Sequence, residues 1–173
     1  MKRILGSVLV ALLVLSGCGA TGPSAAEVKA SEAAAAKKAA QKQYDDDLAA
    51  FEQCKSSADP AMRALNAIDS RLSVSVRRDQ YRNLVGSAQI KLDEMMQGDG
   101  SAGECAGVAY VMNKAAIRHI HALKVWDKCF EDYNCSLDRG SPSDKKMQRD
   151  WKATARLMAS AARKLAAMEP TAP

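Results

Sequence analysis

The chain has 173 residues, a formal net charge of +5, 47% hydrophobic residues and only 5% aromatic ones. That length fits one domain plus a tether. Such mild basicity is not evidence for a nucleic-acid partner. Abundant Ala and scarce runs of Val, Ile and Thr favour helix over sheet.

Met1-Lys2-Arg3 is a short cationic start, and Ile4 to Leu15 is an apolar run broken only by Gly6 and Ser7. The run is shorter than the ~20 residues a spanning helix needs. A positive start followed by such a run reads as a secretory signal. It ends in Leu15-Ser16-Gly17-Cys18. This tetrapeptide resembles the lipobox of bacterial lipoproteins, in which a dedicated peptidase cuts before the Cys and the thiol carries a diacylglycerol. The resemblance implies a signal over 1–17, lipidation at Cys18, and a protein held on the extracytoplasmic side of the cell membrane. The mature chain, without Lys2 and Arg3, carries about +3 before its amino group is acylated.

Beyond Cys18 the expected organisation is a small-residue tether over 18–24, an Ala-rich helical stalk over 25–43, a disulfide-stapled helical bundle over 44–169, and a tail over 170–173. The fold class expected is all-α: an antiparallel bundle of four to five helices on a long N-terminal helical stalk. The stalk has almost nothing large to bury. Tyr44, Leu48 and Phe51 at i, i+4 and i+7 predict that burial starts near Tyr44. The first helix is expected to end near Ser56. Asp59 then reads as an N-cap with Pro60 at the first helical position, and Ala61, Leu65, Ile68 and Leu72 give the second helix its apolar face.

The 3.6-residue period fails over Ser73-Val74-Ser75-Val76, which predicts a break. Asp79 is the expected cap of a third helix with Tyr81, Leu84, Val85, Ala88, Leu92 and Met95 inside. Residues 98–101 (GDGS) read as a turn. A fourth helix is expected from about Gly103 to Tyr133, with Cys105, Val108, Met112, Ala116, His119, Leu123, Trp126 and Phe130 on its core face. A fifth, capped by Ser143, runs to about Met168 with Met147, Trp151, Thr154, Met158, Ala162 and Leu165 inside.

With Cys18 spent on lipid, Cys54, Cys105, Cys129 and Cys135 remain, an even number in an exported chain, which predicts two disulfides. The break at 73–76 selects the pairing. If residues 60–97 formed one helix, Cys54 and Cys105 would lie at opposite ends. With two antiparallel helices there, they share an end, and Cys129 and Cys135 share the other. The absence of any Cys-x-x-Cys pair speaks against zinc.

Leu72-Ser73-Val74 leading to Tyr81 and Leu84-Val85-Gly86, then Trp126-x-x-Cys129, Cys135 and Trp151, resemble small helical, disulfide-containing lipoproteins and secreted proteins of actinobacteria. The similarity spans roughly residues 54–160. That group more often carries Gly at the place of Ser75, a departure that bears on the break between helices. The resemblance implies no activity.

Chemistry-bearing clusters are few. His119 and His121, the only histidines, point about 200° apart on a helix and cannot share a metal. His119 reads as a neutral, hydrogen-bonded core residue, and His121 as exposed. Asp45-Asp46-Asp47 fan around their helix and read as a solvated face. Nothing brings two of Glu104, Glu131 and Asp132 together as an acid pair. No phosphate loop and no nucleophile elbow is present. Neither a cofactor nor a metal is implied.

The patterned surface feature is a basic stripe on the last helix: Lys145, Arg149, Lys152, Arg156 and Arg163 fall within about 60° of one another. The default reading is a solvated face. The functional reading is contact with anionic lipid headgroups or an acidic envelope polymer, which a lipid anchor favours. A stalk of about 20 residues standing upright would set the bundle ~30 Å from the bilayer, beyond a Debye length of ~8 Å, and would point the stripe at a partner instead. Tyr110, Ile117 and Val125 lie off the core face of the fourth helix and mark a further packing or docking patch.

The expected function is therefore a lipid-anchored, non-catalytic envelope module, structural or partner-binding, whose partners are the membrane through Cys18 and an envelope protein or polymer. Two alternatives stand beside it. One is an enzyme acting on envelope glycan or lipid. The other is a small-ligand binder with a pocket near Met112, His119 and Trp126.

Overall fold

The computed structural model describes residues 24–98 and 103–173. The expected signal and Cys18 lie outside these residues, as does most of the turn expected at 98–101. All regular structure among the described residues is helical, in four helices: α1 (Ala25–Val74), α2 (Arg78–Gln97), α3 (Cys105–Glu131) and α4 (Pro142–Ala166). No described helix is long and apolar enough to cross a membrane.

The N-terminus of α1 is closed by a reciprocal pair of bonds. The Ser24 N–H donates to Glu27 Oε2 at 2.6 Å and the Glu27 N–H donates to Ser24 Oγ at 3.3 Å, which satisfies two of the helix's otherwise unpaired donors. The Ser24 bonds hold the Glu27 carboxyl below its ordinary value. Up to Lys38 the helix belongs to a separate unit from residues 39–173. Side chains from Ser24 to Gln43 are exposed. Burial begins at Tyr44 and Leu48 and becomes deep at Phe51, as the spacing of large apolar residues requires.

The expected end near Ser56 is corrected: α1 continues through Pro60 to Val74. Pro60 has no N–H to give the Ser56 carbonyl, and a proline inside a helix costs ~3 kcal/mol. Cys54, Ala58, Ala61, Leu65 and Ile68 on either side of it are all buried. Their spacing of 4, 3, 4 and 3 keeps one apolar seam in phase through the proline, so breaking the helix there would expose half of it. The Ser56 and Ser57 hydroxyls bond back to the Gln53 carbonyl in the preceding turn.

The break after Val74 does occur. Ser75 takes φ 152°, a conformation open mainly to Gly. The Arg77 N–H then donates to Gln80 Oε1 at 3.2 Å. Arg77 is the N-cap of α2 and Asp79 lies in its first turn, so the expected Asp79 cap is displaced by two residues. The cap of α4 is displaced likewise. Ser141, not Ser143, accepts from the Asp144 N–H at 3.1 Å, with Pro142 just inside the helix, where the missing proline N–H costs nothing.

Cys54 is paired with Cys105 and Cys129 with Cys135, with Cα separations of 5.5 and 5.0 Å. Only the break at Val74 is needed for the first pair. Cys54 lies 20 residues before Val74, α2 is 20 residues long, and Cys105 opens α3. The core is built from small residues as much as large ones. Ala58, Ala61, Ala88, Ala115, Ala122 and Ala161 are all buried, which lets helix axes approach closely. Two expected core residues are outside it: Phe130 is 70% exposed because neighbouring Cys129 takes the inward place, and Ala161 replaces Ala162. Val125 packs against the core rather than lying exposed, while Tyr110 and Ile117 remain outside.

Candidate functional site

Three polar clusters are built on this frame. The first is internal. Tyr81 of α2, His119 of α3 and Trp151 of α4 meet around one hydroxyl. Trp151 Nε1–H donates to Tyr81 Oη at 2.9 Å, and the Tyr81 hydroxyl lies 3.0 Å from His119 Nδ1 and 3.2 Å from the His119 carbonyl. Asp69 of α1 stands 3.8 Å from His119 Nε2, too far for a hydrogen bond. All four helices therefore converge here. Burial pushes the Tyr81 hydroxyl up, holds the His119 imidazole down at about 4, and raises the Asp69 carboxyl. His119 is thus a neutral core residue. The volume beside it is taken by rings: Trp126 and Trp151 lie 5.7 and 6.1 Å from the Tyr81 centroid. Tyr81 and Trp151 satisfy their polar tips here, as buried Tyr and Trp require, whereas His119 Nε2 is buried with no hydrogen-bond partner among the described residues.

The second cluster was not read from the sequence. Asp150 of α4 is buried, although it carries a charge. It accepts from His121 Nδ1 at 2.6 Å and from Arg118 Nη1 at 3.2 Å. His121 is exposed as expected, but it is not free. The signal was present: Asp150 lies three residues from Met147 and four from Thr154, on the apolar side of its helix. A carboxylate there must find donors from a neighbouring element. Arg118 and His121, one turn apart on α3, supply them.

The third cluster is the basic stripe. Lys145, Arg149, Lys152, Arg156 and Arg163 are all exposed. Lys145, Arg149 and Lys152 line one open depression of about 690 Å³ together with Arg139, Gly140, Pro142, Asp144 and Gln148. Arg139 comes from the loop before α4 and was missed because it is outside the helical period. Four cations thus face one carboxylate. Asp144 is already engaged, its Oδ2 accepting from the Gly140 N–H at 2.8 Å. Gly140 has φ +89°, a turn conformation that brings the loop back over the helix. Arg156 and Arg163 are not part of the depression. Arg156 donates to the Lys152 carbonyl at 3.3 Å, and Arg163 lies 14 residues beyond Arg149, ~21 Å along the axis.

The remaining acidic candidates do not converge. Asp45 and Asp47 are exposed and accept from Gln41 and Gln43 on their own helix. Asp132 caps its own loop through the Asn134 N–H. No group of three metal-ligating side chains is assembled among the described residues. Comparison with protein-family models, curated proteins and solved structures finds no match to this chain.

Proposed function

We propose that the chain is a lipoprotein of the cell envelope: its signal over 1–17 is removed, Cys18 carries a diacylglyceryl anchor on the extracytoplasmic side, and the helical domain is a non-catalytic module that binds an anionic partner. The four helices are read as an antiparallel bundle. That arrangement is supported by the three-residue connection between α1 and α2 and by the meeting of Cys54 with Cys105.

The observation that carries the binding reading is the convergence of Arg139, Lys145, Arg149 and Lys152 on one depression. Cations spread around a helix would be an ordinary solvated face. Four drawn together repel one another, and an anion relieves that repulsion. Against catalysis stands the state of the polar groups. Tyr81, His119 and Trp151 bond to one another inside the core, and Asp150 is occupied by His121 and Arg118. His119 Nε2 has no hydrogen-bond partner among the described residues, but it is sealed in the core, 3.8 Å from Asp69 and without solvent access, so it is not placed to meet a substrate.

The test uses the mature chain with Cys18→Ser, exported behind an ordinary cleavable signal so that no lipid is attached. Its binding to an anionic polymer, poly(glycerol phosphate), and to phosphatidylglycerol vesicles is measured from 20 to 300 mM salt. Binding to at least one of them, falling with salt and weakened tenfold or more by Lys145→Glu with Arg149→Glu, is the expected result. Salt-independent binding, or binding that the charge reversal leaves unchanged, rejects the reading.

A further inference from the structure

Phe130 and Tyr133 are the most exposed aromatics of the described chain, Phe130 at 70% and Tyr133 fully. Both lie inside the seven-residue segment closed by Cys129–Cys135. The chain has two Phe, and the other, Phe51, is buried. The segment is held from several sides. The Cys135 N–H donates to the Asp132 carbonyl at 2.9 Å, the Asn134 N–H to Asp132 Oδ1 at 2.9 Å, and Cys135 Sγ lies 3.1 Å from Ser143 Oγ at the start of α4. The Ser141 hydroxyl, the N-cap of α4, also donates to the Ser136 carbonyl at 2.8 Å. The backbone that carries the two aromatics is therefore held in place, beside the loop and helix start that line the cationic depression.

Charge surrounds them on the other side too. The Arg78 guanidinium lies 4.2 Å from the centroid of Phe130, and Arg78 and Arg82 share the single carboxylate of Asp127. The segment itself carries exposed Glu131 and Asp132 between the rings, so the cations that would face an anionic bilayer are those of the adjoining depression: the rings enter the apolar layer while Arg and Lys remain at the phosphates. A protein groove would need a wider apolar area than two rings. A soluble polyanion would use the cations and leave the rings in water.

We infer that the disulfide-closed knob 129–135 is a membrane-insertion tip, with Phe130 and Tyr133 seated at the interface of an anionic bilayer and the α4 cations on its phosphates. This rests on the anionic-partner reading and names that partner as a lipid surface.

The unlipidated mature chain is tested by co-sedimentation with vesicles of phosphatidylcholine containing 30% phosphatidylglycerol, and against poly(glycerol phosphate). Phe130→Ser with Tyr133→Ser removes only exposed side chains, and circular dichroism checks the fold. The expected outcome is binding to the vesicles, weakened tenfold or more by this double substitution at constant salt, with affinity for the polymer unchanged. In addition, Phe130→Trp gains fluorescence quenching by lipids brominated on the acyl chain, above the level that Trp126 and Trp151 give in the parent chain. Vesicle binding that survives the double substitution and disappears on charge reversal overturns the tip and leaves the anionic-partner reading standing. Binding to the polymer alone does the same. Binding to neither overturns both.

Discussion

Replacing Cys54 and Cys105 together by Ala is expected to cost about 4 kcal/mol, the larger of the two disulfide effects, because loop-closure entropy grows with the length of chain enclosed. The pair is separated by 51 residues, against 6 for Cys129 and Cys135. The longer loop contains the last 20 residues of α1 and the whole of α2. Without the link, the unfolded chain regains the freedom of that entire hairpin. The shorter link is expected to contribute about 2 kcal/mol by the same relation. Both cysteines of the long pair are buried, so the loss of their two sulfurs also leaves a small cavity that adds to the cost. Urea denaturation of the two double variants under identical conditions checks the order. A short-loop variant that loses as much as the long-loop one would contradict the assignment of stability to loop length.

Acidification from pH 6.5 to 4 is expected to remove about 3 kcal/mol of stability through His119, since each pKa unit is worth about 1.4 kcal/mol. Burial lowers its folded-state value from 6.5 to about 4. The unfolded chain therefore binds a proton in this window and the folded chain does not. Stability is full above the unfolded value, falls as pH drops through the window, and levels off below the folded value. The groups facing the ring are Tyr81 of α2, Trp151 of α4 and Asp69 of α1. Trp151 does not titrate here. Tyr81 is pushed up, away from the window. Asp69 is raised by its own burial and works in the opposite sense at the acid end, because its folded form takes up a proton first. His119→Gln keeps a polar group toward Tyr81 and removes the titration. The parent chain should show urea midpoints that fall from pH 7 to 4, and the variant a flatter profile. Equal slopes in both would show that His119 is not the group responsible.

The helical faces were legible because they rest on spacing. The onset of burial at Tyr44, the inward faces of α2 and α3, and the neutral state of His119 all follow from where large apolar residues recur. The proline was misread for a physical reason. Asp59-Pro60 carries the local chemistry of a helix start, and local chemistry was preferred to phase. The seam Cys54, Ala58, Ala61, Leu65, Ile68 runs through it unbroken, and two of its members are Ala, which is easily discounted as core. Phe130 was misplaced by extending a four-residue step from Trp126, where the buried residue is Cys129, three residues on.

The polar clusters were less legible than the faces. Tyr81, His119 and Trp151 could each be placed inward, but their meeting depends on how three helices are rotated against one another, which one sequence does not encode in any short window. Asp150 was overlooked as one charge among many on α4. Arg139 belongs to a loop whose course is set by Gly140 and the Asp144 side chain rather than by a repeating pattern.

Anchoring at Cys18 is tested most directly by the mass of the N-terminal peptide of the protein purified from its own membranes. The expected peptide begins at Cys18 and carries a diacylglyceryl thioether, and the protein is released to the soluble fraction when Cys18 is replaced and the signal is still cleaved. A mature N-terminus at any other residue, or an unmodified Cys18 thiol in membrane-bound protein, would contradict it.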